Sequence, residues 1–280
     1  MSRTRSGPPR AVTRRAEDRP AGRVRAAQKF WQLPDHELND LIMLTRQTDR
    51  VELKLIVPAT AHRTTRAALG IDFTRAPARR VYYLDTPDRT LHHHGVIARV
   101  RSIEDKPDDA VVKLRPVVPA SLSDALRRSK DLIVEIDGMP GTYVCSAALK
   151  TRLGPHDVDQ AIAHRRPLHA LFSPPQRTLL ATWLPRHTNI DDLMVLGPVD
   201  VRRRKVVPDG YGRTLLAERW TFPDGSRILE LSTRCAPDAA LHVAAHTAAV
   251  LRRHGVALTG PQQTKTRTTL DFFTPPPADR

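Results

Sequence analysis

Charged side chains recur at every second position along successive strand-like segments of this sequence. The segment from Val81 to Arg101 begins with an aromatic and β-branched strand pattern, breaks at a D-T-P-D turn, and ends with Arg99 and Arg101 on one side of an extended chain. An ordinary half-buried strand carries apolar residues on its inner face. Paired cations at this spacing therefore indicate either a solvated face or a charged interior.

Repetition of the pattern along the chain favours the charged interior. The charged residues in phase are Arg50, Glu52 and Lys54; Arg99 and Arg101; Lys113 and Arg115; Glu135 and Asp137; Arg203 and Lys205; Glu218; Glu230; and Lys265 and Arg267. Charges on an outer face need not recur on nearly every strand. About eight antiparallel strands can close a small barrel around one ligand. We therefore predict an α+β fold, an eight-stranded antiparallel β tunnel (a closed barrel) with flanking helices.

Turn and helix signals supply the remaining predicted elements. The proline-interrupted stretch 141–193 is predicted to be helical at 147–153, 158–164 and 176–183. A further helix is predicted from Asp238 to His254, because Gly255 follows as a stop signal. Residues 263–267 are predicted to form a last short strand, with Lys265 and Arg267 on the same face.

The chain carries a formal net charge of +15 over 280 residues, which points to polyanionic partners such as nucleic acid, polyphosphate or phosphorylated metabolites. Eight arginines lie before residue 26, against Glu17 and Asp18. Such a segment buries too little apolar surface to offset its ordering entropy. We predict a disordered Arg-rich tail at 1–35, a tunnel domain at 36–273 and a Pro-rich tail at 274–280. The alternatives for the first tail are a nucleic-acid-binding arm and a transit peptide.

Cysteine usage and hydropathy favour a cytoplasmic protein. Cys145 and Cys235 are the two cysteines of the sequence and lack the spacing of a metal site, which fits a reducing compartment. The apolar run from Leu241 to Leu251 is too short, and too interrupted by histidine, to span a bilayer. We expect no membrane partner, and the oligomeric state stays open.

A lumen lined by cations and carboxylates together suits phosphate chains. Arginine would contact phosphates in a bidentate manner and lysine as a point charge. A smaller group of carboxylates would hold Mg²⁺ or Mn²⁺, because both ions prefer oxygen ligands. Metal-assisted attack of water on a phosphoryl group would follow, with the cations stabilising the developing charge.

Short motifs in this order support the same interpretation. They are R-V-E-L-K at 50–54, Y-Y-L-D-T-P at 82–87, R-V-R at 99–101, K-L-R at 113–115, Glu135, Arg203 with Lys205, Glu230, and T-K-T-R at 264–267. This series resembles the CYTH domain, also called the triphosphate tunnel metalloenzyme superfamily. That family has an E-x-E-x-K first strand, a Y-[YF]-D-T-P turn leading to R-x-R, later basic and acidic strands, and a terminal S/T-K. The resemblance covers about residues 50–273.

The resemblance implies a tunnel that binds triphosphate groups with Mg²⁺ or Mn²⁺. Known activities of the superfamily include hydrolysis of inorganic tripolyphosphate and of thiamine triphosphate, RNA 5′-triphosphatase, class IV adenylyl cyclase and polyphosphate synthesis. We predict Lys54 and Glu52 as catalytic residues. The predicted phosphate-binding residues are Arg99, Arg101, Lys113, Arg115, Arg203, Lys205, Lys265 and Arg267, and the predicted metal ligands are Glu52, Glu135, Asp137, Glu218 and Glu230.

Two positions depart from the family pattern. Arg50 stands where the family has its first glutamate, and Ser232 stands where the last acidic strand often has a second one. Either the remaining carboxylates carry more of the coordination, or the tunnel is a non-catalytic binder of polyphosphate or nucleotides. Nucleic-acid binding through the Arg-rich tail is a third hypothesis.

Overall fold

The structure is a computed structural model that describes residues 35–274. The two predicted tails, 1–35 and 274–280, therefore lie outside the described residues, apart from Asp35 and Thr274. Among the described helices, none combines the length and the apolar composition needed to cross a bilayer.

Nine strands form one closed barrel in the described part of the chain. They are β1 (Arg50–Val57), β2 (Ala78–Asp85), β3 (Val96–Ile103), β4 (Asp109–Leu114), β5 (Leu132–Met139), β6 (Thr142–Arg152), β7 (Met194–Val206), β8 (Leu215–Thr221) and β9 (Arg227–Cys235). Their order around the barrel is β1-β5-β6-β4-β3-β2-β7-β8-β9, with β9 returning to β1. The pair β1 and β5 is parallel, and the other neighbours are antiparallel.

The prediction of eight antiparallel strands was therefore wrong in number and in direction. The missed strand is β6, whose second half was predicted as a helix at 147–153. Its alanine, leucine, lysine and arginine residues are good helix formers. The segment is a strand because β6 forms a hairpin with β5 along one edge and pairs with the more distant β4 along the other, and this pairing overrides local propensity.

Eight α-helices flank the barrel between residues 35 and 274. They are α1 (Asp35–Thr45), α2 (His62–Ala68), α3 (Thr90–His93), α4 (Asp124–Arg127), α5 (Asp157–Ile162), α6 (Pro174–Trp183), α7 (Ala240–Arg253) and α8 (Lys265–Phe273). The predicted last strand at 263–267 was wrong, because Lys265 is the first residue of α8. Thr264 caps this helix through its Oγ1, which accepts a hydrogen bond from the Arg267 amide at 3.3 Å. The barrel has no free edge for another strand, since β9 pairs with β1.

Two large clusters of apolar strand residues pack outside the barrel, beneath the helices. Leu55 and Leu229 share a buried cluster with Leu251 of α7, and Val100 shares another with Leu180 of α6. Because successive side chains on a strand point to opposite faces, the residues between these leucines and valines point into the barrel. The charged rows therefore face the lumen, as the sequence pattern predicts.

Candidate functional site

Three buried carboxylates meet on the lumen side of β1 and β5. The parallel register places Glu52 opposite Asp137 and Arg50 opposite Glu135. One oxygen from each of Glu52, Glu135 and Asp137 lies within 4.8 Å of the others. We call these three residues the carboxylate cluster. Its oxygen donors are the type that Mg²⁺ and Mn²⁺ prefer, so the residues present fit such an ion.

Lysines from two strands lie against this cluster. The Nζ of Lys54 is 2.6 Å from Asp137 Oδ1 and 3.2 Å from Glu52 Oε2. The Nζ of Lys113 is 3.1 Å from Asp137 Oδ2 and 3.3 Å from Glu135 Oε1. Both lysines are therefore held where they would meet an anion bound beside the carboxylates.

Arginines complete the surroundings of the cluster. Arg50 Nε lies 2.7 Å from Glu135 Oε2, and Arg115 Nη2 lies 3.7 Å from Asp137 Oδ2. On the other side, Arg234 Nε lies 3.3 Å from Glu52 Oε1. Arg50 thus replaces the family's first glutamate with a cation that neutralises a neighbouring carboxylate.

The cations control the protonation of the cluster. Burial alone would raise the pKa of Asp137, but Lys54, Lys113 and Arg115 outweigh it and hold that pKa well below its usual range. Burial also opposes ionisation of Glu52, yet Lys54 and Arg234 lower the Glu52 pKa. Burial would lower the pKa of Lys54, but Asp137 and Glu52 raise it well above its ordinary value. Asp137, Glu52 and Lys54 are therefore charged near neutral pH.

A second acidic pair lies on β8 and β9, of which β9 is the direct neighbour of β1 in the barrel. Glu218 is opposite Glu230 in the strand register, and Lys265 contacts both, with its Nζ 2.7 Å from Glu230 Oε1. Trp220 Nε1 donates a hydrogen bond of 3.2 Å to Glu218 Oε2, and the Lys265 ammonium lies 4.9 Å from the Trp220 ring centroid. Arg203 Nε lies 3.5 Å from Glu218 Oε1.

The two carboxyl groups of this pair differ in acidity. Burial raises the pKa of Glu230, and Lys265 only partly offsets it. At Glu218 burial acts in the same direction, but Lys265 and Arg203 outweigh it and lower the Glu218 pKa far below its ordinary value. The pair therefore favours an ionised Glu218, with Glu230 as the more readily protonated member.

A group of arginines covers the lumen wall on β2, β3 and β7. Arg101 forms a bidentate pair with Asp109 at 2.7 and 2.6 Å. The Nη1 of Arg79 and the Nε atoms of Arg99 and Arg203 are buried without a hydrogen-bond partner among the described residues. These atoms are donors aimed into a closed space, and an anion could satisfy them.

A cavity of about 390 Å³ opens at one end of the lumen. Its charged lining residues are Glu52, Arg203, Lys205, Arg213 and Arg234. We call it the mouth cavity. At the other end, Leu270 of α8 packs with inward-facing apolar residues of β2 and β8. The basic lining of the mouth leads from solvent to Glu52 of the carboxylate cluster.

All but one of the predicted site residues lie around the lumen, but the five predicted metal ligands form two groups, the carboxylate cluster and the pair of Glu218 and Glu230. Arg267 is the exception: its side chain is 54% exposed, and its Nε lies 3.8 Å from Asp271 on the same helix. Residues two apart on a helix point in different directions, so Lys265 faces the lumen and Arg267 does not. Sequence reasoning missed Arg79, Arg213 and Arg234. Arg79 and Arg234 are in phase with other inward residues of β2 and β9, whereas no periodic signal marks Arg213, which lies between strands.

Solved structures share this architecture at low sequence identity. The sequence matches no family model and no curated protein. An adenylate cyclase candidate from Bacillus halodurans is 14% identical, with a TM-score of 0.53, over 79% of this chain and 97% of that chain. A Hippeastrum protein, described as an adenylyl cyclase candidate with a dominant triphosphatase activity, is 15% identical, with a TM-score of 0.55, over 79% and 95%. The chain therefore shares the fold of these two proteins, in agreement with the CYTH-like fold that the sequence motifs resemble.

Proposed function

We propose that this protein is a divalent-metal-dependent phosphohydrolase that acts on inorganic triphosphate, short polyphosphate or an organic triphosphate inside the tunnel. The observation that carries the proposal is the carboxylate cluster, which lies within 4.8 Å between oxygens and against Lys54 and Lys113 in a closed barrel. The triphosphatase activity described for the Hippeastrum protein supports the same ligand class.

The residues divide into three roles under this proposal. Glu52, Glu135 and Asp137 would hold Mg²⁺ or Mn²⁺, which when bound supplies positive charge to the phosphoryl oxygens. The cations around the lumen would bind the phosphate chain; they are Arg99, Arg101, Lys113, Arg115, Arg203, Lys205 and Lys265, joined by Arg79. Lys54 would stabilise charge that develops on the transferred group, and Glu52 would orient the attacking water.

A non-catalytic tunnel is the second candidate, and one observation favours it. The chain's own cations already contact the carboxylate cluster, with Arg50 on Glu135 and Arg234 on Glu52. Ser232, which replaces a family carboxylate, donates a hydrogen bond of 3.3 Å to Glu52 Oε1. Such contacts compete with metal binding, so a ligand could bind without being hydrolysed.

Release of phosphate from tripolyphosphate, measured with Mg²⁺ or Mn²⁺, tests the proposal. We expect turnover that requires the metal and that falls by about a hundredfold or more in Lys54→Ala, because a charge-stabilising group is lost. Lys106→Ala is the matched control, since Lys106 is exposed and its side chain forms no hydrogen bond or ion pair with a described residue. Binding of tripolyphosphate without turnover at any metal concentration would instead support the non-catalytic module.

A further inference from the structure

Arginines also gather on the outside of the barrel, remote from the lumen. Three strands and one helix supply Arg66, Arg202, Arg204, Arg219 and Arg227, which we call the outer arginine patch. Arg203 and Glu218 contact each other in the lumen, so their neighbours Arg202, Arg204 and Arg219 point outward. Arg227 is in phase with Leu229, which packs beneath α7.

The patch is unfavourable for the isolated fold. Arg202 and Arg219 are direct cross-strand partners, and like charges at such positions are destabilising. Burial and the charges of Arg66, Arg227 and Arg202 lower the pKa of Arg219. A fold that keeps these cations together on rigid strands gains nothing in stability from their proximity.

Few carboxylates neutralise this surface within the described residues. Arg202 lies 3.9 Å from Glu104, and Asp72 faces Arg204 and Arg66 without a pair shorter than 4 Å. Four of the arginines make no ion pair with any described residue; they are Arg66, Arg204, Arg219 and Arg227. The Nε atoms of Arg66 and Arg219 are buried and lack a hydrogen-bond partner there. These donors suit an external anion.

The aromatic residue within the patch is not available to a ligand. Arg66 and Arg219 lie 5.5 and 5.0 Å from the Phe73 ring centroid, but Phe73 is only 2% exposed. Proteins that bind single-stranded nucleic acid present aromatic rings on which bases stack. The outer arginine patch has guanidinium groups but no exposed aromatic ring, so it is suited to the phosphate backbone of a duplex and not to stacking with unpaired bases. Contacts to that backbone do not depend on the base sequence.

We propose that the outer arginine patch binds the phosphate backbone of a nucleic-acid duplex, independently of base sequence and separately from the tunnel. Arg204 and Arg227 lie diagonally on either side of Arg219, each offset by two residues in the strand register, so neighbouring members of this row are about 7 to 8 Å apart. Such a row contacts successive phosphates through bidentate hydrogen bonds. The Arg-rich segment before residue 26 is present in the same chain, so the experiment must separate the two.

Fluorescence anisotropy with labelled DNA and RNA duplexes of about 20 base pairs, titrated at several salt concentrations, tests the proposal in the full-length chain. The test variant is Arg204→Gln/Arg219→Gln/Arg227→Gln. The control is Arg128→Gln/Arg165→Gln/Arg186→Gln, which removes the same charge from exposed arginines that form no ion pair with a described residue. We expect the test variant to lose about tenfold or more in affinity near 0.1 M salt, with a salt slope shallower by about 0.9 for each lost phosphate contact.

Three further arms make the outcome decisive. Arg219 packs over Phe73, so Arg204→Gln/Arg227→Gln, with Arg165→Gln/Arg186→Gln as its control, tests the patch at fully exposed positions. Lys54→Ala should leave duplex binding unchanged, because Lys54 lies in the lumen.

Test variants that bind both duplexes as tightly as their controls would overturn the proposal and assign binding to the tail. Patch-dependent binding of inorganic polyphosphate without duplex binding would also overturn it.

Discussion

Lys54 and Asp137 form an ion pair at 2.6 Å across neighbouring parallel strands, although 83 residues separate them in the sequence. The Asp137 side chain is 0% exposed, and Lys113 and Arg115 approach the same carboxylate. A buried carboxylate with three cationic neighbours is stabilised as long as it stays ionised. This one residue therefore links the stability of the barrel to the charge of its lumen.

Asp137→Asn should destabilise the protein and flatten its response to acid. The pKa of Asp137 is lowered in the folded state, so its contribution is fully present above its unfolded value, about 3.9, and is lost as the pH falls below that value. Removing the carboxylate leaves buried cations unpaired, which should cost about 3 to 5 kcal/mol at neutral pH. Urea unfolding as a function of pH measures both effects.

Asp131→Asn is the control for that series, since Asp131 is exposed and its side chain makes no contact with a described residue. The control should match the wild type at every pH. If Asp137→Asn were as stable as the control at neutral pH, the ion pairs would not support the barrel.

The period-two rows on β1, β3, β5 and β7 were predicted correctly, because the alternation of side chains along a strand is a local geometric property. Strand β6 was missed because its helix-forming residues give a local helical signal, whereas its pairing with β4 is non-local and does not appear in that signal. Lys265 was expected in the lumen, and it lies there, but it projects from a helix. The sequence pattern therefore predicts that a side chain reaches the lumen, but it does not show whether a strand or a helix carries it there.

Lys265→Met should loosen α8. Lys265 is the cation that contacts both Glu218 and Glu230, so its loss would leave two buried carboxylates close together. Hydrogen exchange of the amides in 265–273 should become about tenfold faster or more, because the helix would open without global unfolding. Arg267→Met is the matched control on the same helix, where the side chain is 54% exposed. Equal protection in the two variants would contradict a docking role for Lys265.

The pair of Arg101 with Asp109 should show strong energetic coupling. The pair is bidentate, with the two side chains 17% and 7% exposed. A double-mutant cycle with Arg101→Met and Asp109→Asn should give a coupling free energy of about 1 to 3 kcal/mol in urea unfolding. The exposed pair of Arg80 with Asp159, at 2.9 Å, provides a comparison and should give less than about 1 kcal/mol. Equal coupling free energies in the two pairs would show that burial does not strengthen the interaction of Arg101 with Asp109.

Arg213→Gln should raise the KM for tripolyphosphate and leave kcat nearly unchanged. Arg213 lines the mouth cavity, its Nη2 donates to the Arg234 carbonyl at 3.1 Å, and it forms no ion pair with the carboxylate cluster in the described structure. A cation at the entrance raises the local concentration of an anionic substrate without acting on the reacting phosphoryl group. We expect KM to rise about fivefold at low salt, and the difference from wild type to shrink as added salt screens the charge.

Arg165→Gln is the control, because Arg165 is exposed and does not line the mouth cavity. A fall in kcat at unchanged KM would place Arg213 in the chemistry of the site and not at its entrance.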